Sequence, residues 1–375
     1  MKRILQVVSC LNLGGTEAYV MSHYKALNRK EYQYDFMVFS DQFNDHRQEI
    51  EHRGGRVFVC GMPSLKALPN FLRIAKRIMV ENGPYDAVHS HVNIANSWVM
   101  VAAFLAGIPI RISHCHAVCE EPSHMLKSLY RKVQKTVLLK YATHWLACSD
   151  GAGNSLYGRK QFSNKGLLMC NGINVDTFCK VDTDAVQSLR KEFGIEETNL
   201  VLSSISRYDR NKNQCFAVCV FREILKEIPQ AVLVLGGTDG DAANEVREAV
   251  FRCGVEKSVR FIGKRTDMAQ CLQLTDIFLM PSIHEGFGIA LLEAQAAGCF
   301  CIASTGVPAT ADLGLEAVLF LDLKLQASEW AEKILCAYRL FEKKSPERIV
   351  EAFEEKGFSV NRSLVALLEL YDGKK

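Results

Sequence analysis

With 375 residues, 48% of them hydrophobic and 23% charged, the chain has ordinary globular composition and room for two domains of roughly 100–200 residues each. A net charge of +3 is too small to mark a nucleic-acid partner, and no run of about 18 apolar residues marks a spanning helix. Fourteen scattered cysteines exclude a disulfide scaffold. Those in apolar runs, such as Cys170, Cys253, Cys299 and Cys301, read as reduced, buried small hydrophobes of a cytoplasmic protein.

Apolar runs alternate with helix-period runs along the whole chain. Met1-Lys2-Arg3 and the apolar residues after it faintly mimic a leader, but Gln6 breaks the run and no cleavage site follows. The spacing predicts strands at 3–9, 34–39, 56–60, 85–89, 109–113, 143–147 and 166–170, with helices near 16–28, 45–53, 66–82, 94–106 and 124–141. Further strands are expected at 200–206, 231–236, 258–262, 276–281, 299–303 and 318–321. Their helices fall near 213–227, 241–253, 266–273, 287–297 and 326–342. Strands that are Val/Ile/Leu/Phe runs rather than alternating patterns are covered on both faces, so repeated βα units with parallel sheets are predicted.

The polar stretch 171–198 holds no strong strand and marks a break near 175. The expected domains are 1–175 and 176–355, each doubly wound, with ligands at strand C-termini in the crevice between the halves. Residues 356–375 end in an apolar-periodic helix.

Two glycine-bearing turns carry the candidate chemistry. In "LNLGGTEAYV", Gly14 and Gly15 stand where the first strand becomes a helix, with Glu17 just beyond. Such a turn lets backbone N–H groups approach a phosphate, or it is merely a tight connection. In "PSIHEGFGIALLEAQAAG" a buried strand runs through Glu285, Gly286, Phe287, Gly288 and Ile289 into a helix that carries Glu293. Free N–H groups and the dipole at that helix opening favour an anion. Glu285 and Glu293 then flank a diphosphate, one beside a sugar and one beside a ribose. Alternatively, Glu285 caps the helix and Glu293 lies on a solvated face.

Four histidines, His89, His91, His114 and His116, stand at strand ends near Cys115 and Cys119. Residues alternate faces along a strand, so Cys115 points away from His114 and His116, and the spacing matches no closed zinc pattern. Basic residues punctuate "MLKSLYRKVQKTVLLKYATHW" (Lys127, Arg131, Lys132, Lys135, Lys140) and "LRIAKRIM" (Arg73, Lys76, Arg77). This is an ordinary solvated helix face or a surface for an anionic membrane. No stacking aromatics accompany these residues, which argues against nucleic acid.

The segment "PSIHEGFGIALLEAQAAG" resembles the E-x7-E run of retaining glycosyltransferases of family 4, the glycosyl transferases group 1. "SISRYDRNKN" is similar to that family's "GR-x-x-x-x-K" basic pair, with Ser206 in the glycine's place. "LNLGGTE" resembles its "GG-x-E" loop. "CNGINVDTF" resembles its interdomain turn, with Cys170 for proline and Asn174 for aspartate. "FIGKRTDM" resembles its nucleobase loop. The resemblance covers essentially the whole chain and is most specific over 200–304.

It implies the GT-B fold: two Rossmann-like domains facing across a cleft, the terminal helix crossing back to the first. It implies transfer of a hexose or N-acetylhexosamine from a nucleoside diphosphate, most naturally UDP, to a saccharide or lipid-linked saccharide in cell-surface polysaccharide synthesis, at the inner face of the cell membrane. By the same resemblance Arg207, Lys212 and the 286–290 backbone hold the diphosphate, with Gly14 and Gly15 covering it. Glu293 holds ribose, Glu285 holds the donor sugar, and backbone near Lys264 and Arg265 abuts the base. His116, with His114 in reserve, stands by the reaction centre, and Glu17 and His91 are acceptor-side candidates. We single out no Asp-x-Asp metal motif and expect neither metal nor cofactor. A hydrolase or epimerase of the same fold and a non-catalytic nucleotide-sugar-binding module are the alternatives.

Overall fold

The computed structural model describes every residue except 13, 43, 120–123, 170–171 and 375, so Cys170 and the start of "CNGINVDTF" lie outside the described residues. The chain divides into two units, Met1–Gly172 with Phe358–Lys375, and Ile173–Gly357.

The first unit runs β1 (Lys2–Val8), α1 (Gly15–Ala26), β2 (Tyr32–Val38), α2 (Arg47–His52), β3 (Val57–Val59), α3 (Leu68–Glu81), β4 (Ala87–Ser90), α4 (Asn96–Leu105), β5 (Ile110–Cys115), α5 (Met125–Tyr141), β6 (His144–Ala147), α6 (Asp150–Tyr157), α7 (Arg159–Lys165) and β7 (Gly166–Leu168). The second runs α8 (Val175–Cys179), α9 (Thr183–Phe193), β8 (Val201–Ile205), α10 (Gln214–Glu227), β9 (Val232–Gly236), α11 (Ala243–Cys253), β10 (Val259–Gly263), α12 (Met268–Gln273), β11 (Ile277–Met280), α13 (Ile289–Ala296), β12 (Phe300–Ser304), β13 (Val318–Leu321), α14 (Ala327–Tyr338) and α15 (Pro346–Lys356). The chain ends in α16 (Val360–Tyr371).

Both sheets are parallel, in the orders β3-β2-β1-β4-β5-β6-β7 and β10-β9-β8-β11-β12-β13. The strand runs are buried on both faces, as their composition implies: every residue of β2, β8, β9 and β12 is enclosed. Each order reverses once, between β1 and β4 and between β8 and β11. A loop leaving one of those strand ends turns one way and its neighbour's turns the other, which opens a crevice there.

The polar stretch near 171–198 contains α8 and α9, not loop. Asp182 caps α9 by accepting from the Ala185 N–H, and Gly194 ends it in the left-handed region. Helices α6, α7 and α15 also add to the expected elements. In α6, "DGAGNSLY" is poor in helix formers and depends on its Ser149 cap, which hides its periodicity.

Helix α16 packs on the first unit. Its Leu364, Leu367, Leu370 and Tyr371 join a core with Ile4, Val20, Tyr34 and Phe36 of that unit. Asp372 accepts from Lys2 Nζ at 2.7 Å and from the Tyr32 hydroxyl at 2.8 Å.

Candidate functional site

In the second unit, the carboxyl ends of β8 and β11 lie side by side at the reversal point. After β8 the chain turns through Ser206 and Arg207 to Lys212. After β11 it passes Pro281 and Ser282 to Glu285 and then α13. A small cavity there is lined by Ser206, Lys212, Met280, Ser282 and Ala290.

Lys212 Nζ donates to Glu285 Oε1 at 2.5 Å, and the Ser282 hydroxyl donates to the same oxygen at 2.7 Å. Two residues singled out separately in the sequence thus form one ion pair, with side chains only 26% and 11% exposed. Charge-assisted bonds of this kind, partly shielded from water, are strong and directional. Arg207 is paired with Asp209 and remains largely exposed.

The loop that presents Glu285 is held by a residue the sequence reading passed over. Asn211 donates from Nδ2 to the His284 carbonyl at 2.7 Å and accepts from the His284 N–H at 3.1 Å. Its own carbonyl accepts from the Ile283 N–H at 2.8 Å. The readable signal was an Asn beside Lys212, a residue type that readily bonds to backbone. Gly306 lies under this loop: any Cβ there would collide with the Ile283 carbonyl. Its carbonyl accepts from the Glu285 N–H at 3.1 Å.

Helix α13 opens at Ile289 rather than near 287. Gly288 is its N-cap, at φ +97, a left-handed conformation that favours glycine. Gly286 and Phe287 therefore belong to the loop, and Phe287 is buried. Glu293 lies half-buried inside the helix. Burial alone pushes its carboxyl up to about 7.

Arg265 is engaged structurally. It pairs with Glu192 and Asp267 and lies over the Phe193 ring. The Asp-x-Asp spacing does occur, twice, which corrects the sequence reading. Asp182 caps α9 while Asp184 sits in its first turn. Asp239 pairs with Arg247 at 3.3 Å and Asp241 accepts from the Arg210 N–H at 3.1 Å.

The first unit's reversal point is built differently. Gly14 is the N-cap of α1, and Glu17 folds back over it, so that a Cβ at position 14 would collide with the carboxylate. Burial pushes the Glu17 carboxyl up to about 7.

Beside this turn lies a network of imidazoles. His89 Nε2 hydrogen-bonds with His114 Nδ1 at 3.2 Å, and His91 Nδ1 with His116 Nε2 at 2.8 Å. His91 Nε2 donates to Gln6 Oε1 at 2.9 Å, and His89 Nδ1 shares a 2.7 Å bond with the Tyr371 hydroxyl of α16. His23 donates from Nδ1 to the Tyr19 carbonyl and bonds Ser363 through Nε2.

Burial drives the pKa of His89, His91 and His114 well below the usual imidazole range, and that of His23 to about 4. His89, His91 and His114 bring ring nitrogens within 4.8 Å of one another. The ring nitrogens of His89 and His91 are engaged in the bonds just named, and we read the cluster as a neutral hydrogen-bonded network. His91 and His114 are enclosed, and His116, just past β5, is the member that keeps partial exposure. As the strand geometry requires, Cys115 faces the other way, toward Ala117, Ala152 and Asn93.

Likeness to known proteins shows the family and the fold. Residues 186–335 match the family "Glycosyl transferases group 1", and residues 13–177 match "Glycosyltransferase Family 4". EpsF of Bacillus subtilis (strain 168) is 31% identical over 99% of this chain and 96% of its own length. CapH of Staphylococcus aureus, a capsular polysaccharide biosynthesis glycosyltransferase, is 24% identical over 81% of each chain. Anabaena Alr3699/HepE, solved with UDP-glucose, superposes with a TM-score of 0.81 over the full length of both chains at 19% identity. The chain belongs to the group 1 glycosyl transferases: it is a glycosyltransferase of GT-B fold.

Proposed function

We propose that this transferase moves a hexose or N-acetylhexosamine from UDP to a saccharide or lipid-linked saccharide acceptor, with retention at the anomeric carbon and without a metal ion. The observation that carries this reading is the Lys212–Glu285 pair at the reversal point of the second sheet, close before the Gly288 N-cap of α13.

In the reading, the donor diphosphate takes Lys212 from Glu285 and lies against the backbone N–H groups that open α13, with Arg207 as second cation. Two cations neutralise charge that develops on the departing phosphate, the contribution of greatest weight in such a step. Glu285, released from Lys212 but still held by Ser282, accepts from hydroxyls of the donor sugar. Glu293 accepts from ribose. Gly14 and Gly15 offer backbone, and backbone near Lys264 and Arg265 abuts the base. His116 stands by the acceptor hydroxyl, with Glu17, His91 and His114 behind it. No residue here makes an obvious carboxylate nucleophile, and same-face attack assisted by the leaving phosphate fits better than the two-carboxylate glycosidase scheme.

The lipid-linked acceptor finds support on α5. Met125, Leu126, Leu129 and Val133 are all exposed there, interleaved with Lys127, Arg131 and Lys132. An apolar stripe edged by cations suits an anionic bilayer surface. No described helix is long and apolar enough to cross a membrane.

The test is a thermal-shift screen against UDP-, GDP- and ADP-sugars, followed by NMR of the product's anomeric proton with and without chelator. Stabilisation by a UDP-sugar, retained configuration and indifference to chelator are expected. Free sugar in place of a glycoside would establish the hydrolase instead, and binding without turnover the non-catalytic module.

A further inference from the structure

Cys115 and Cys119 are the first and last residues of a five-residue segment that contains His116. Cys115 is fully enclosed, whereas Cys119 keeps partial exposure. Both thiols point at one carbonyl, that of Ala117, with Sγ at 3.1 Å for Cys115 and 3.9 Å for Cys119, and the two hydrogen-bond each other. The Cys119 N–H is held by the Ser155 hydroxyl at 2.9 Å, and the Arg131 guanidinium of α5 reaches its sulfur.

We propose that Cys115 and Cys119 form a peroxide-sensitive dithiol that closes to a disulfide and restrains His116. Cys119 is the attacking sulfur. The hydrogen bond from Cys115, then Arg131 and Ser155, hold its thiol below the ordinary range in spite of desolvation. Burial instead raises Cys60, Cys271, Cys299 and Cys301. A second bonded pair, Cys219 with Cys253, gives no such activation, since desolvation and the neighbouring thiol both raise Cys219.

The chemistry balances with hydrogen peroxide or an organic hydroperoxide as oxidant. The Cys119 thiolate attacks the O–O bond, forms S–O and releases hydroxide (or alkoxide), which leaves as water (or alcohol) with one proton. The Cys115 sulfur gives up its proton and attacks the Cys119 sulfenic acid. An S–S bond forms, S–O breaks and a water leaves. Two thiols lose two electrons and the peroxide gains them. The closed ring fixes the backbone of residues 116–118. The consequence for transfer rests on the place given to His116 above.

The experiment treats the full chain with hydrogen peroxide, blocks remaining thiols with N-ethylmaleimide and weighs the tryptic peptide 112–127, which contains both cysteines. The expected peptide is two hydrogens lighter, takes no label and is restored by dithiothreitol, well before Cys219 or Cys253 lose label. Cys115→Ser should stop at a dimedone-reactive Cys119, and Cys119→Ser should leave Cys115 labelled. If both cysteines of the unsubstituted chain still take label when Cys219 and Cys253 no longer do, the dithiol is overturned whatever the variants do. Transfer by the oxidised chain should fall at least tenfold and recover with dithiothreitol. A disulfide that forms without that fall overturns the restraint and points the failure at the role of His116, not at the thiol chemistry.

Discussion

The two sheets reverse their strand order in the same way and furnish the reversal points with opposite chemistry. Between β8 and β11 stand formal charges in pairs, Lys212 with Glu285 and Arg207 with Asp209, on loops that water reaches. At the first unit's reversal point stand the rings of His89, His91 and His114, buried and held neutral, with bonds between rings and to Gln6 and Tyr371. A charged diphosphate needs cations that can change partner, which ion pairs within reach of water allow. A neutral hydroxyl needs a fixed, water-poor surface. On the function proposed above, one fold would serve both roles by what it places at the same topological position.

The largest effect that separates the two units should be acid. His23, His89, His91 and His114 are held neutral below their unfolded pKa of about 6.5. Between about 6.5 and the folded values the unfolded state binds more protons, so stability is complete above about 6.5 and is lost as pH falls. For each tenfold weakening of its proton affinity on folding, an imidazole costs about 1.4 kcal/mol of stability across that window. Glu17 and Glu293, both raised to about 7, act in the opposite sense, one in each unit, and cancel from the comparison. With 5-fluorotryptophan, the resonances of Trp98 and Trp145 should lose dispersion between about pH 6 and 4 while that of Trp330 persists. Simultaneous loss of all three would refute the contrast.

Next in size, Lys212→Ala should lower kcat by about a hundredfold or more, the scale of losing one preorganised charge at a leaving group. Donor KM should move much less. Glu285→Gln keeps the shape of the pair, removes its charge and should lose about tenfold. A Lys212→Ala enzyme with normal kcat would mean that the cation only steadies the loop.

The strand, turn and helix framework of the candidate site was legible in the sequence, for a physical reason. Strands buried on both faces are unbroken apolar runs, and a strand, a glycine turn and a helix carrying two acids are local features. What stayed hidden depends on distance between remote residues. Lys212 and Glu285 are 73 positions apart, and nothing in either stretch says that they touch. The imidazole network draws on β4, β5 and the residues just past them, with Gln6 and Tyr371 joining its two pairs of rings. Strand alternation set Cys115 apart from His114 and His116 but carried no sign that Gln6 or Tyr371 would meet the rings. Asn211 escaped because its role is a pair of bonds to backbone, which leaves no periodicity.

A smaller effect concerns Glu293. Its raised pKa leaves the carboxyl partly protonated near neutrality, and ribose hydroxyls donate best to the ionised form. Donor affinity should therefore improve by about threefold to tenfold from about pH 6 to pH 8, with proton release on binding seen by calorimetry in buffers of different ionisation enthalpy. Glu293→Gln should bind the donor about tenfold more weakly and lose that pH dependence. A pH profile unchanged by the substitution would place the titrating group elsewhere.

The smallest effect tests how the first unit is closed by the end of the chain. Tyr371→Phe removes the hydroxyl that meets His89 Nδ1 and Gln6 Nε2 and leaves the ring in its core. Three buried polar groups lose a partner, the Tyr34 hydroxyl being the third, at a cost of about 1–3 kcal/mol, whereas apolar packing of α16 on β1 and α1 remains. In a unit of this size that is a fall of roughly 2–4 °C per kcal/mol in Tm. The fall should show in the Trp98 and Trp145 signals and not in that of Trp330. An unchanged Tm would mean that α16 is held by its leucines, by Asp372 and by the Ser363–His23 bond, and that the imidazoles beneath it keep their arrangement without the Tyr371 hydroxyl.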